Sequence, residues 1–260
     1  MTLRRRMTSG EGPIVATFVS IPRVEIVEML ADAGFDAVIL DLEHGPYGIQ
    51  SVSPLIAAAH GRGIAAIVRV ADDRAQGIGA ALDAGADGIV VPHVNTAAQA
   101  HAVIDAARFP PDGQRGANPW VRAGAYGTDR RFFDEANDRV AVIGMVEGVD
   151  GVANLDEILA VPGLDGVFIG PVDLSSSLGV PGQTEHPDVV QTVADIVRRG
   201  ANAGVATAVF APTPRAAARW LGAGAFLVAL GVDAGLIAQG LRAVRDALDE
   251  DLRSVAPPQS

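Results

Sequence analysis

Glu147 and Asp173 stand 26 residues apart, each just beyond an apolar run, AVIGMV before the first and GVFIG before the second. If those runs are parallel strands joined through one helix, the two acids end neighbouring strands about 4.8 Å apart and can share a cation. With only oxygen donors that cation is hard: Mg²⁺ first, with Mn²⁺ or Co²⁺ as alternatives. A second stretch, FDAVILDLEHGPYG (35–48), ends an apolar run in Asp41, Glu43 and His44 before turning at Gly45-Pro46. Desolvating such groups unpaired is costly, so they belong either to a structural network or to a wet cavity. Arg69 closes the apolar run IAAIV and requires an anion. A cation site, a guanidinium and an imidazole with a near-neutral unperturbed pKa suit Lewis-acid and general acid–base chemistry.

Each residue also has a structural reading. Glu147 can cap the helix that follows it, and Asp173 can be an N-cap of the polar turn Asp173-Leu174-Ser175. His44 can be a satisfied loop histidine with Asp41 as its partner, and Arg69 can close an internal salt bridge to Asp41 or Glu43. Asp83, in ALDAG, sits where a helix ends and reads as a surface residue. His93 reads as structural, and His60, His101 and His186 as surface positions. Taken together, charged groups at four strand ends on one rim exceed what a stability network needs.

The elements that must position these groups repeat. A helical segment, a glycine, one or two small or acidic residues and a β-branched run recur at Gly34-Phe35-Asp36, Gly63-Ile64, Gly85-Ala86-Asp87, Gly163-Leu164-Asp165, Gly204 and Gly224. Glycine at a helix C-cap followed by a buried strand is an αβ connection. With strands near Ile14–Val19 and Val140–Val146 added, eight strands alternate with helical patterns near 23–33, 49–60, 75–84, 97–107, 152–159, 188–203, 214–221 and 234–249. That pattern predicts an α/β fold, a single-domain (β/α)8 TIM barrel over 13–250. An open doubly wound sheet is the alternative, but no Gly-x-Gly-x-x-Gly follows the first strand. In a barrel, the groups that meet are those at the C-terminal strand ends. The connection 109–139 (FPPDGQRGANPWVRAGAYG and beyond) is long enough to form a lid or interface, and 171–187 also reads as ordered. Residues 1–12 are expected to be flexible, and 251–260 to fray.

Composition removes several classes of function. The chain of 260 residues has no cysteine, which excludes thiolate nucleophiles and thiolate metal sites. All 20 basic residues are arginine, so no Schiff-base lysine, pyridoxal phosphate (PLP) enzyme or P-loop lysine is available. A net charge of −11 argues against nucleic acid as a partner. No apolar run is long enough to span a membrane, and no signal-peptide pattern follows the basic start, so a cytoplasmic location is expected.

The motifs LDLEHGP, the arginine in IVRV, LDAGADGIVVPHV, FPPDGQRG, the glutamate in MVEG and GVFIGPVDLS resemble the HpcH/HpaI family of metal-dependent (class II) pyruvate aldolases, in order over about 12–245. The resemblance implies a barrel whose last helix is often exchanged between subunits, in a homohexamer built as a trimer of dimers. It implies that Glu147 and Asp173 bind the divalent metal and that Arg69 touches the keto or enolate oxygen. It further implies that His44 serves the acid/base step with Asp83 in support, that aspartate reaching the site from a neighbouring subunit. Backbone amides near Val172 and Asp173 would hold the substrate carboxylate in a substrate-binding stretch of Gly170, Pro171, Val172 and Asp173, with Asp41 and Glu43 around it. The implied reaction is reversible cleavage of a 4-hydroxy-2-oxo acid to pyruvate, or a related 2-oxo acid such as hydroxypyruvate, and an aldehyde through a metal-stabilised enolate. One position departs: where the family commonly has glutamine two residues before the metal glutamate, this chain has Met145, on the same side of the strand as Glu147. Two other readings are a Mg-dependent lyase of citrate-lyase-β or malyl-CoA type, which the acidic balance disfavours, and a non-catalytic metal-binding barrel.

Overall fold

The computed structural model describes residues 2–9 and 11–255. Eight parallel strands close into a barrel in sequence order: β1 (Ile14–Val19), β2 (Ala37–Asp41), β3 (Ala65–Arg69), β4 (Gly88–Val91), β5 (Ala141–Val146), β6 (Gly166–Ile169), β7 (Ala206–Ala211) and β8 (Leu227–Val232). The expected (β/α)8 architecture is borne out. Every strand is buried on both sides, which is why the runs read as continuously apolar rather than alternating.

Strand parity separates two cores. Side chains such as Ile14, Phe18, Ile39, Ile67, Ile143, Met145 and Phe168 fill the barrel interior. Their neighbours Val38, Leu40, Val68, Ile89, Val142 and Val167 pack outward under the helices. The inward parity continues past the apolar residues, so Asp41 and Arg69, paired in register across β2 and β3, reach the interior at its upper end.

At the opposite end lies part of the segment 1–12 that was expected to be flexible. Residues Leu3–Ser9 form a helix whose Leu3 and Met7 are buried in the barrel interior, one turn apart on one face. Their side chains come against Gly88 and Gly166, which begin β4 and β6 and leave room for them by lacking Cβ atoms. The basic residues that made this segment look solvated are partly spent on ion pairs: Arg4 Nε to Asp165 at 2.8 Å and Arg4 Nη1 to Asp138 at 2.8 Å.

The last helix runs Asp233–Val255, so its final turn covers part of the stretch expected to fray, and 256–260 lie outside the described residues. This helix exposes Ile237, Leu241, Val244, Leu248 and Leu252 at spacings of three and four, a continuous apolar stripe with no cover among the described residues. Within the long connection after β4, the helix Phe132–Arg139 packs Phe132 and Ala136 against Phe109 as a small satellite core. Its Asn137 side chain accepts the Phe109 N–H at 2.8 Å and donates to the Phe109 C=O at 2.9 Å, tying the two ends of the connection together.

Candidate active site

A cavity of about 340 Å³ opens at the C-terminal ends of the strands. Its polar side holds Asp41, His44, Arg69 and Asp173, and its apolar side holds Phe18, Met145, Phe168, Phe210 and Val232, with Gly170 and Val172 at the edge. Residues expected to meet from strands two, three and six therefore do meet. Phe18 packs edge-on to Phe168 with centroids 5.8 Å apart and also touches Phe210, giving the pocket a stiff aromatic wall.

Arg69 is fixed from three sides. Nε and Nη2 donate to the two oxygens of Asp41 at 2.9 and 2.7 Å, a bidentate pair, and Nη1 lies 2.9 Å from Glu43 Oε2. The guanidinium rests 4.6 Å from the centre of the Phe18 ring. Its structural and site readings are compatible, because a guanidinium carries five N–H donors and these three contacts leave two for the cavity. Asp41 is itself held: Oδ1 also accepts the backbone N–H groups of Glu43 and His44, which bends the chain into the turn. Tyr47 secures that turn. Its hydroxyl donates to Val19 C=O at 2.7 Å and accepts the Asp41 N–H at 2.9 Å, while burial pushes the phenol pKa up and keeps the proton in place.

His44 stands exposed at the cavity edge, and its ring makes no hydrogen bond among the described residues. Asp41 therefore partners the His44 backbone, not its imidazole.

Glu147 follows β5 directly and is almost wholly buried, 4% exposed. Its Oε1 accepts the His93 N–H at 3.0 Å and lies 2.9 Å from His93 Nδ1. Oε2 receives no hydrogen bond among the described residues and faces Gly170, where an added Cβ would fall 2.8 Å from it. Any side chain at 170 would have to displace that carboxylate oxygen, so glycine here leaves Oε2 its place. Burial raises the Glu147 pKa above its ordinary value; the His93 N–H and His93 charge oppose this, and the negative charges of Glu43 and Asp173 push it up further. Glu147 and Asp173 thus bear on one region, as the spacing of their strands requires.

Asp173 lies in the first turn of the helix Pro171–Ser177. The first helical bond is Leu174 N–H to Gly170 C=O, which leaves the N–H groups of Val172 and Asp173 without intrahelical partners at the cavity edge. The apolar run thus ends on a short positively polarised helix terminus.

Among the described residues no cluster of three or more His, Cys, Asp or Glu side chains is arranged to hold a metal ion. Two carboxylates remain, one buried with a raised pKa and an uncommitted oxygen. That donor set fits a hard divalent ion that keeps water and takes further oxygens from its substrate, as Mg²⁺ does.

Asp83 is not brought to this cavity within the chain. It ends the helix Ala75–Asp83, and its carboxylate accepts from Arg115 Nη2 at 2.7 Å. Arg115, buried and stacked 4.5 Å from the Phe109 ring centre, holds it on the side of the long connection. Sequence reasoning also passed over His93, whose contacts to Glu147 and, at 3.5 Å, to Glu43 put it among the site's charged groups. A lone histidine after proline carries no signal of this, since the contacts cross from β4 to the ends of β2 and β5.

A closed (β/α)8 barrel whose C-terminal mouth holds two acids, a clamped arginine and a free imidazole defines an enzyme site of acid–base and electrostatic type. The chain belongs to the HpcH/HpaI aldolase/citrate lyase family, whose model matches residues 15–240. It is 38% identical over 239 residues to 2-keto-3-deoxy-L-rhamnonate aldolase of Klebsiella pneumoniae, covering 92% of this chain and 89% of that protein. It is 37% identical over 241 residues to a hydroxypyruvate/pyruvate aldolase of Pseudomonas aeruginosa, with the same two coverages. A crystal structure of a family protein from Burkholderia cenocepacia superposes with a TM-score of 0.89 at 36% identity, covering 95% of this chain and 98% of that one. The expectations of family and of an aldolase, a carbon–carbon lyase, are borne out.

Proposed function

We propose that the mouth of this barrel catalyses reversible aldol cleavage of a 4-hydroxy-2-oxo acid, giving pyruvate or a related 2-oxo acid and an aldehyde. The observation that carries this reading is Glu147: a buried carboxyl whose one oxygen is fixed by His93 while the other is left uncommitted beside Gly170. A divalent ion held by Glu147 and Asp173 would supply Lewis acidity at the ketone of the 2-oxo acid, and the oxygen-only donors favour Mg²⁺, Mn²⁺ or Co²⁺. The N–H groups of Val172 and Asp173 bind the substrate carboxylate at the helix terminus. His44 takes the proton from the C4 hydroxyl, and the C4–O bond becomes the aldehyde C=O as the C3–C4 bond breaks. The electron pair of that bond passes into the enolate of the 2-oxo acid, and a proton delivered to C3 releases pyruvate. The two spare N–H donors of Arg69, held rigid by Asp41, stabilise the negative charge that develops on the enolate oxygen. The aromatic wall excludes water from that charge.

In this reading Asp83 supports His44 only from a neighbouring copy, because inside one chain it is committed to Arg115. The bare apolar stripe on the last helix supports exchange of that helix between two copies within a homohexamer. Among the described residues no helix is long and apolar enough to cross a membrane, which agrees with a cytoplasmic enzyme.

The test is to incubate the protein with pyruvate in deuterated water and follow loss of the methyl proton signal. Exchange should require Mg²⁺ or Mn²⁺, stop on chelation and return on re-addition. Exchange that survives chelation removes the metal's role, and no exchange under any condition favours a barrel that binds without catalysing.

A further inference from the structure

We propose that His93 is a positioning residue that aims the Glu147 carboxylate, and that this chain's metal affinity depends on it. The inference rests on the metal reading above. Its basis is a backbone conformation. His93 has φ of +57°, in the left-handed region that non-glycine residues seldom occupy, although histidine is among the side chains found there. Such a conformation persists only where surrounding contacts over-determine it.

Those contacts all lead to the site. The left-handed turn aims the His93 N–H at Glu147 Oε1, 3.0 Å away, and folds the ring back so that Nδ1 lies 2.9 Å from the same oxygen. Nε2 reaches to 3.5 Å from Glu43 Oε1, so one imidazole spans the acids that follow β2 and β5. The next residue, Val94, donates its N–H to Met145 C=O at 2.9 Å and anchors the turn to the strand that carries Glu147. With Oε1 held by the His93 N–H and close under its ring, the carboxylate presents Oε2 to the space beside Gly170.

A packing role explains this poorly. The His93 side chain is 66% exposed while the Glu147 side chain it touches is 4% exposed, so the ring lies over the acid from the solvent side and fills no core space. Groups that orient a metal ligand are worth about 10- to 100-fold in metal affinity.

The experiment compares wild type, His93→Gly and His93→Asn, reading Mn²⁺ binding from the free-ion electron paramagnetic resonance signal and stability from thermal melting without metal. Glycine adopts the left-handed turn without strain, so His93→Gly should melt no lower than wild type yet bind Mn²⁺ about 10- to 100-fold more weakly. Asparagine tolerates the same turn and places a short N–H donor near the position of Nδ1, so His93→Asn should recover most of the affinity. Wild-type affinity in His93→Gly overturns the inference and leaves the metal reading standing. A fall in melting temperature that matches the loss of binding reassigns His93 to a structural role and also overturns it. Absence of Mn²⁺ binding by the wild type removes the metal reading and this inference with it.

Discussion

The two ends of the barrel use the same acids for opposite purposes. At the N-terminal end, Asp36, Asp87 and Asp165 each precede an even-numbered strand and bond twice to one residue of the strand before it. Their N–H groups donate to the C=O of Val15, Ala66 and Val142, and their carboxylates accept the N–H of the same three residues at 3.0, 2.8 and 2.9 Å. Each has a cationic or imidazole neighbour as well: Arg6 for Asp36, His60 for Asp87, and Arg4 with Arg108 for Asp165. In the fourth pair the position is Phe226, which keeps the main-chain bond to Thr207 and lacks the carboxylate. At the C-terminal end Asp41 is fully engaged, but Glu147 has an uncommitted oxygen and Asp173 has no side-chain hydrogen bond among the described residues. At the base each of the three carboxylates clasps the backbone of a neighbouring strand, with both oxygens bonded at Asp165 and Oδ2 alone at Asp36 and Asp87. At the mouth Asp173 clasps nothing among the described residues and Glu147 keeps Oε2 open beside Gly170.

The largest effects should split along that line. Glu147→Gln or Asp173→Asn should lower aldol cleavage at least about 10³-fold, since Lewis-acid stabilisation is worth several kcal/mol and each factor of ten is about 1.36 kcal/mol. Steady-state assays with circular dichroism on the same samples should show native spectra throughout; unfolding in step with the activity loss would erase the contrast. At the other end Asp165→Ala strands the buried Arg108, whose pKa burial already lowers against the opposing pull of Asp165. Removing one partner of a buried pair costs about 3–5 kcal/mol, so urea unfolding should shift by that order. The cleavage rate per folded molecule should stay within about two-fold, because nothing at the mouth touches Asp165.

What could be read from the sequence follows the same division. The Gly-x-Asp repeat marked where β2, β4 and β6 begin, though not the backbone bonds its acids make, and strand parity placed Met145 beside Glu147. The helix at Leu3–Ser9 was hidden because three arginines in seven residues resemble a solvated segment, and the cavity that Leu3 and Met7 plug exists only once eight strands have closed. The contacts that Asp83 and His93 make within the chain were not legible, for a common reason. Their partners, Arg115 and Glu147, lie 32 and 54 residues away, beyond irregular segments whose paths no periodicity encodes.

A smaller effect concerns stability and pH. Glu147 has a folded pKa raised chiefly by burial, so its neutral form favours folding. The contribution is fully present below the unfolded value near 4.5 and is lost as pH rises through the higher folded value. Without metal, Glu147→Gln should therefore melt above wild type at pH 7, with the gain shrinking as pH falls toward 4. Adding Mn²⁺ should raise the wild-type melting temperature and leave the variant nearly unmoved. A variant that melts below wild type at pH 7 would mean that the open carboxylate is a stability element like those at the base.

The smallest expected effect lies on the apolar side of the mouth. Met145 is buried, 1% exposed, between Gly170 and the aromatic wall, and its thioether offers no N–H or O–H donor. A donor substrate with a methyl group loses nothing against that wall, whereas a hydroxymethyl group is desolvated without a partner. Met145→Gln supplies an amide in nearly the same volume, and the side chain retains its inward parity beside Glu147. The ratio of kcat/KM for hydroxypyruvate over pyruvate, measured with one common aldehyde, should rise about three- to ten-fold, which corresponds to one net hydrogen bond of about 1 kcal/mol. An unchanged ratio would show that the hydroxyl points to the polar side, toward Asp41 and His44. The difference between the two sides of the pocket would then concern water exclusion alone and not donor choice.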